Sequence, residues 1–361
     1  MSEKDSTPPP PKPGPRRPLK VVIPALLLLI AAAAFVAVQD IRLYAEKPVP
    51  PVSGKEQLLT IAPGESFRSI TRKLLALGLI RSPLRFRILA RISGHHRNLK
   101  AGEYSFEGPS SPRNILERLV EGKVKLYRIT VPEGSTLEQI AGIVEASGLS
   151  DRDAFLSAAA AVDPKKAYGI DGATLEGYLF PDTYHLPKNS SAADIIDTMV
   201  GRFKDVMTDK RRKRAENIGL SIHEVVTLAS IIEKETGAPA ERPQISSVFH
   251  NRLKRGMRLE TDPTVIYGIK DFDGNLTRKH LRTPTPYNTY LIKGLPPGPI
   301  ANPGEASIDA ALYPAQTGYL FFVSRKDGTH HFSASLKEHQ QAVRKYQLGG
   351  RKRKATKGGS Q

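Results

Sequence analysis

Residues 221–237 read Ser221-Ile222-His223-Glu224-Val225-Val226-Thr227-Leu228-Ala229-Ser230-Ile231-Ile232-Glu233-Lys234-Glu235-Thr236-Gly237, an apolar run closed by two glutamates. Ser221 followed by Glu224 is a capping box: the serine accepts from the backbone N–H at 224 and the glutamate reaches back to the cap, so a helix starts there. At about 100 degrees per residue, Ile222, Val225, Val226, Ala229 and Ile232 share one face, and Glu233 falls within it. Glu235 falls about 200 degrees from Glu233, beside Leu228 at the edge of the apolar arc. The two carboxylates therefore point apart. Ionised carboxylates beside aliphatic side chains are costly to desolvate, so they tend to be paired, raised in pKa, or used as an acid or base. Glu233 suits a buried ion pair with Arg242 or Arg252, whereas Glu235 suits a group that is partly desolvated yet reachable by substrate. Helix ends fray and change pitch, so Glu233 remains the rival acid. At Glu235 the apolar border and the negative end of the helix dipole both disfavour the anion, as a general acid requires.

Downstream, residues 246–253 read as a helix with Asn251-Arg252 near its end. Asp262 before Pro263 reads as an N-cap and first-turn proline. Thr283-Pro284-Thr285-Pro286-Tyr287-Asn288-Thr289-Tyr290 and Gly294-Leu295-Pro296-Pro297-Gly298-Pro299-Ile300 are stiff loops, which favour a preformed groove for an extended polymer over a closed pocket. Asn302-Pro303 caps another short helix. Residues 319–323 and 330–332 form a hairpin turning at Lys326-Asp327-Gly328. His330 and His331 alternate to opposite sides of a strand and make no metal pair; with His339 they read as packing or hydrogen-bonding residues. Upstream, Leu175-Glu176-Gly177-Tyr178-Leu179-Phe180-Pro181-Asp182-Thr183-Tyr184 is either a surface for sugar stacking or part of the core.

Further upstream the chain repeats itself. Thr60-Ile61-Ala62-Pro63-Gly64-Glu65-Ser66 opens one copy and Thr130-Val131-Pro132-Glu133-Gly134-Ser135-Thr136 the next. One constant offset matches Gly64 to Gly134, Ile70 to Ile140, Gly78 to Gly148 and Leu79 to Leu149. Each copy predicts a strand, a glycine turn and an amphipathic helix (69–77 and 137–146) stopped by glycine. The first continues through a strand at 101–106 and a helix around 114–120. Such units resemble the LysM module that holds cell-wall glycans; a packing domain that binds nothing is the alternative.

The N-terminus sets the compartment. Residues 6–17 are proline-rich and basic and pack no core. Residues 21–38 are uninterruptedly apolar, enough for a membrane span, and Lys12, Arg16, Arg17 and Lys20 before them place the N-terminus in the cytoplasm. A cleaved signal peptide is the alternative, but the run is long for one. The 361 residues are 39% hydrophobic, enough to fill real cores, and carry a net charge of +18. That charge favours polyanions, yet no basic run with interleaved aromatics points to nucleic acid. With no cysteine there is no disulfide, thiolate nucleophile or zinc-thiolate site.

The series 229–236 (ASIIEKET), 247–253 (SVFHNRL), 256–268 (GMRLETDPTVIYG), 287–290 (YNTY) and 294–298 (GLPPG) resembles the endolytic murein transglycosylases of the YceG-like (MltG) family. The resemblance implies an α+β protein: a single N-terminal transmembrane helix, a LysM-like α+β module and a mixed α+β catalytic domain. The corresponding division is a cytoplasmic tail 1–20, an anchor 21–38, a linker 39–56, the LysM-like region 57–150, the catalytic domain 151–348 and a basic tail 349–361. It implies residence in the inner (cytoplasmic) membrane with an extracytoplasmic catalytic domain acting on peptidoglycan glycan strands, cell-wall synthases as partners, and no cofactor or metal. Within the first motif the family uses the second glutamate, here Glu235, in agreement with the helix geometry. Thr261, Asp262, Tyr287, Asn288 and Tyr290 are candidates for orienting the sugar. The implied reaction leaves 1,6-anhydro-N-acetylmuramic acid ends, which one acid/base accomplishes without the second carboxylate of ordinary hydrolases. Two other classes stay open: a noncatalytic wall-binding scaffold, and a lyase using Lys234 as a Schiff base, which the outward direction of that lysine disfavours.

Overall fold

A computed structural model describes residues 19–50 and 56–348. The expected basic tail 349–361, the proline-rich head before residue 19 and residues 51–55 of the linker lie outside the described residues. The chain forms two compact units, residues 1–125 and 126–361.

The first unit contains α1 (Leu19–Glu46), β1 (Gln57–Ile61), α2 (Phe67–Ala76), α3 (Pro83–Ile92), β2 (Gly102–Phe106) and α4 (Pro112–Glu121). α1 is long and apolar enough to cross a membrane. It continues past the apolar run into the stretch expected as linker, because Ile41 and Ala45 recur at helical spacing and bury in the core of this unit. β1 and β2 pair antiparallel, from Gln57 opposite Phe106 to Ile61 opposite Gly102. Leu59 and Ile61 alternate inward onto Ile70, Leu74, Phe86 and Ile115. Ser66, Ser82 and Ser111 each accept a backbone N–H at the start of α2, α3 and α4, fixing where those helices begin.

The second unit opens with β3 (Leu126–Thr130), α5 (Leu137–Ala146), α6 (Arg152–Ala161), α7 (Pro164–Tyr168), β4 (Thr183–Pro187) and α8 (Ala192–Val206). β3 and β4 pair antiparallel, so strand, helix, helix, strand and helix recur in the order of the first unit, with α7 and a loop interposed before the second strand. The residues matched by the constant offset occupy equivalent places. Gly64 and Gly134 have φ of 75° and 74°, Gly78 and Gly148 have 68° and 70°, and the matched aliphatics are buried in both copies. The division expected at residue 150 falls inside this second copy. β4, which closes its sheet, arrives only after that point, so the copy packs as part of the second unit.

There follow α9 (Asp209–Asn217), α10 (Ile222–Glu235), α11 (Arg242–Lys254), α12 (Asp262–Tyr267), α13 (Arg278–Arg282), α14 (Glu305–Leu312), the antiparallel hairpin of β5 (Phe321–Ser324) and β6 (His330–Ser333), and α15 (Leu336–Val343). α10 begins at the expected capping box, with Ser221 and Glu224 both engaged. Its sequence predicts one apolar face, but it is enclosed all round: every residue from Val225 to Ile232 is buried, with α9, α11, α12 and α14 packed around it. Each fully buried aliphatic side chain there contributes roughly 1.5–3 kcal/mol. Polar Ser230 is accommodated because its hydroxyl donates to the Thr227 carbonyl at 2.7 Å and accepts the Ile300 N–H at 3.0 Å.

The aromatic segment 175–184 is core rather than a stacking surface: Leu175, Tyr178, Leu179, Phe180 and Tyr184 are all buried. Gly177, at φ 88°, is required here because a Cβ would collide with Pro299 and Val226. Next to it, buried Glu176 accepts from the Leu137 N–H at 3.1 Å, the Asn302 amide at 2.9 Å and the Tyr267 hydroxyl at 3.3 Å. The carboxylate thus joins the start of α5 to α12 and to the segment before α14. Burial pushes its pKa up to about 7.

Candidate active site

The last turn of α10 presents its two glutamates to different surroundings. Glu233 is held by Arg242 at 3.2 Å and by the Gly304 N–H at 3.0 Å, and only 7% of its side chain is exposed. Arg242 also reaches Ser307 Oγ at 3.1 Å and Glu133 at 3.6 Å. Gly304 lets the Glu133 carboxylate lie close against the backbone, in the space a Cβ would take. Glu133 itself is raised by burial and then by its neighbour Glu233. Of the two partners expected for Glu233, the structure selects Arg242.

Glu235 faces a cavity of about 370 Å³, lined also by Arg252, Leu259, Glu260, Asp262, Tyr290, Phe322 and His339. Its Oε1 accepts a hydrogen bond from the Thr261 hydroxyl. Burial pushes the Glu235 carboxyl above the ordinary carboxylate range. The Thr261 hydrogen bond opposes that, the charge of Asp262 adds to it, and His330 and Arg252 pull back. A carboxyl shifted in this direction beside an open cavity suits proton delivery.

Thr261 is set in place by a buried hydroxyl network. Its N–H donates to Thr289 Oγ1 at 3.1 Å, Thr264 donates to its carbonyl at 2.8 Å, and Thr264 and Thr289 join at 2.8 Å. Glu260 just before it has a φ of 49°, a left-handed conformation unusual for a residue with a side chain, at the point where the chain turns into α12. Thr261, not Asp262, occupies the N-cap position of α12, and its side chain makes no cap bond because it is spent on Glu235. The expected capping role of Asp262 is therefore corrected: its carboxylate accepts the Tyr290 hydroxyl at 2.7 Å. Arg252 is anchored by carbonyls, with Nε to Leu320 at 2.7 Å and Nη1 to Leu259 at 2.9 Å, and meets Glu260 at 3.3 Å.

Of the residues singled out in the sequence, Thr261, Asp262 and Tyr290 converge on Glu235. Tyr287 and Asn288 do not line the cavity. Asn288 is fully buried, donating to the Thr283 and Leu281 carbonyls at 2.8 and 3.1 Å and accepting the Tyr290 N–H at 3.0 Å, so it shapes the loop rather than meeting a sugar. Tyr287 packs edge-on to Tyr267 at 4.8 Å. Conversely, Arg252, Glu260, Phe322 and His339 line the cavity without having been singled out as substrate-facing. Phe322 and His339 come from the distant hairpin region, and no local pattern announces that meeting. His330 pairs with Glu241 at 2.8 Å, a hydrogen-bonding role consistent with its strand position.

The YceG-like family profile matches residues 59–345. Over 304 residues, 80% of this chain and 84% of the relative, the chain is 35% identical to a Bacillus subtilis protein named endolytic murein transglycosylase. A Streptococcus pneumoniae protein of the same name is 28% identical over 82% of this chain, which spans 59% of that longer relative. A crystal structure of a yceG-like protein from Listeria monocytogenes superposes with a TM-score of 0.55 at 35% identity, covering 80% of this chain and 99% of the other.

Proposed function

The chain belongs to the YceG-like family, and from that premise we propose that it is an endolytic murein transglycosylase with Glu235 as its acid and base. The observation that carries this is a carboxyl raised by burial and bound by Thr261 at the wall of an open polar cavity. Glu235 protonates the glycosidic oxygen linking N-acetylmuramic acid to the next N-acetylglucosamine as the C1–O bond breaks. The resulting carboxylate takes the proton of the muramyl C6 hydroxyl, whose oxygen closes on C1. The product ends in a 1,6-anhydro ring and Glu235 is again protonated, so no water is consumed. Arg252 supports the transient anion, Tyr290 and Asp262 orient the sugar, and Phe322 offers an apolar ring to a sugar face.

Cleavage within glycan strands would terminate or trim nascent material during wall assembly, with cell-wall synthases as partners. α1 serves as a single-pass anchor in the cytoplasmic membrane, its N-terminus cytoplasmic on the positive-inside rule, and the repeated module acts as a LysM-like hold on the glycan.

A second reading deserves its own outcome, because Asp262 and Glu260 share the cavity with Glu235. Either as a second carboxylate would permit hydrolysis. Both are engaged, Asp262 with Tyr290 and Glu260 with Arg252, which supports the water-free route. Mass spectrometry of fragments from purified murein decides: anhydro ends, one water lighter than hydrolysed ends, are expected, and hydrolysed reducing ends alone would overturn the proposal.

A further inference from the structure

The first unit carries an apolar surface that its fold leaves uncovered. Phe86, Leu89 and Ala90 turn one side of α3 into the core, yet Leu84, Ile88 and Ile92 on the same helix are 60%, 38% and 67% exposed. At about 100 degrees per residue this second stripe lies about 200 degrees from Phe86, on the far side of the helix. A helix apolar on two opposite faces calls for cover on both.

The cover is indicated by α1. That helix runs unbroken from the apolar stretch to Ile41 and Ala45 in the core, so the unit is built directly onto it. Leu84, Ile88 and Ile92 share a groove with Ala37, Val38, Asp40 and Ile41, the turn where the apolar run ends. Asp40 is tied to Arg85 at 3.0 Å at that level. On the other flank Leu84 and Ile88 border a second groove, of about 410 Å³, edged by Arg68, Arg87 and Arg91. Among the described residues these three arginines have no acidic partner. Apolar side chains at the exit level of a spanning helix, flanked by unpaired guanidinium groups, match the boundary between acyl chains and phosphate headgroups.

We infer that α3 is a second membrane contact: Leu84, Ile88 and Ile92 enter the surface of the bilayer that α1 crosses, and Arg68, Arg87 and Arg91 bind the phosphates of anionic phospholipids. This rests on the reading of α1 as a membrane span. The contact holds the first unit down on the bilayer, so that the reach of the remainder of the chain is set from a fixed base.

The absence of cysteine makes a direct test simple. Full-length chains carrying Val36→Cys in α1, Ile88→Cys in α3 or Glu117→Cys in α4 are labelled with a fluorophore and placed in phosphatidylglycerol-containing nanodiscs bearing a lipid-attached quencher. Quenching at 36 and at 88 is expected to exceed that at 117 by at least about threefold. Replacing phosphatidylglycerol with phosphatidylcholine, or adding Arg68→Gln, Arg87→Gln and Arg91→Gln, is expected to reduce quenching at 88 and leave 36 unchanged. Quenching at 36 without quenching at 88 overturns the inference while the anchor stands. No quenching at 36 overturns the anchor, and the inference with it. If the labelled chain is unquenched at 88 and its unlabelled Ile88→Cys form oxidises to disulfide-linked dimers, the stripe belongs to a second copy and the inference falls. Quenching at 88 that ignores lipid charge overturns the role given to the arginines.

Discussion

Two sides of one helical turn receive the same residue and treat it oppositely. On the side toward α14, Glu233 meets a guanidinium and a backbone N–H and is neutralised by fixed partners. On the side toward α12, Glu235 meets a hydroxyl, a neighbouring carboxylate and a cavity, and is held toward its neutral form. Chemical identity and helical position thus do not assign a role. The surroundings differ instead: the paired carboxylate has its charge compensated, and the one without a full counter-charge is shifted toward its protonated form.

The contrast is broken most sharply by Glu235→Gln, expected to reduce anhydro-muropeptide release by about 10²- to 10⁴-fold with unfolding unchanged; persistence of product would transfer the catalytic role elsewhere. Glu233→Gln is expected to lower unfolding free energy by roughly 3 kcal/mol while activity per folded molecule survives, since it leaves Arg242 buried with a weaker partner. Loss of activity at undiminished stability would exchange the two roles. Two variants then sharpen the Glu235 side through the basic limb of the pH–rate profile, where the acid deprotonates. Asp262→Asn removes a raising charge and is expected to move that limb to lower pH, whereas Thr261→Val removes a hydrogen bond to the anion and is expected to move it higher. Shifts in the same direction would contradict the electrostatic account.

A pH-dependent counterpart is Glu176, which is buried like Glu233 but has no cationic partner among the described residues. Its folded pKa of about 7 lies above the ordinary 4.5, so the folded state binds the extra proton between those values. Stability from this group is complete below about 4.5 and is lost as pH rises through about 7. Denaturant titrations across that window should show this slope, and Glu176→Gln should flatten it; an unchanged slope would assign it to another group.

Local signals explain how much was legible. The capping box at Ser221 fixed the start of α10 because its bonds lie within four residues. The repeat was visible because left-handed turns at Gly64, Gly78, Gly134 and Gly148 demand glycine whatever surrounds them. Thr261 escaped a full reading because its partners come from elsewhere, Glu235 in one direction and Thr289 in the other. In the YNTY motif Thr289 bonds Thr264 and Tyr290 bonds Asp262 beside the cavity, while Asn288 is absorbed in holding the loop. Nothing local distinguishes a threonine that locks a network from an asparagine that locks a turn.

By itself the sequence determined the helix starts, the repeated turns, the apolar segment of α1 and the divergence of two glutamates, all consequences of backbone geometry over a few residues. The tertiary structure alone decided that Arg242 rather than Arg252 neutralises Glu233, that Arg252, Phe322 and His339 wall the cavity of Glu235, and that the second repeat closes with β4. The physical reason is range: caps and turns are settled by neighbours along the chain, whereas desolvation and charge pairing are settled by whatever the folded chain brings within a few ångströms.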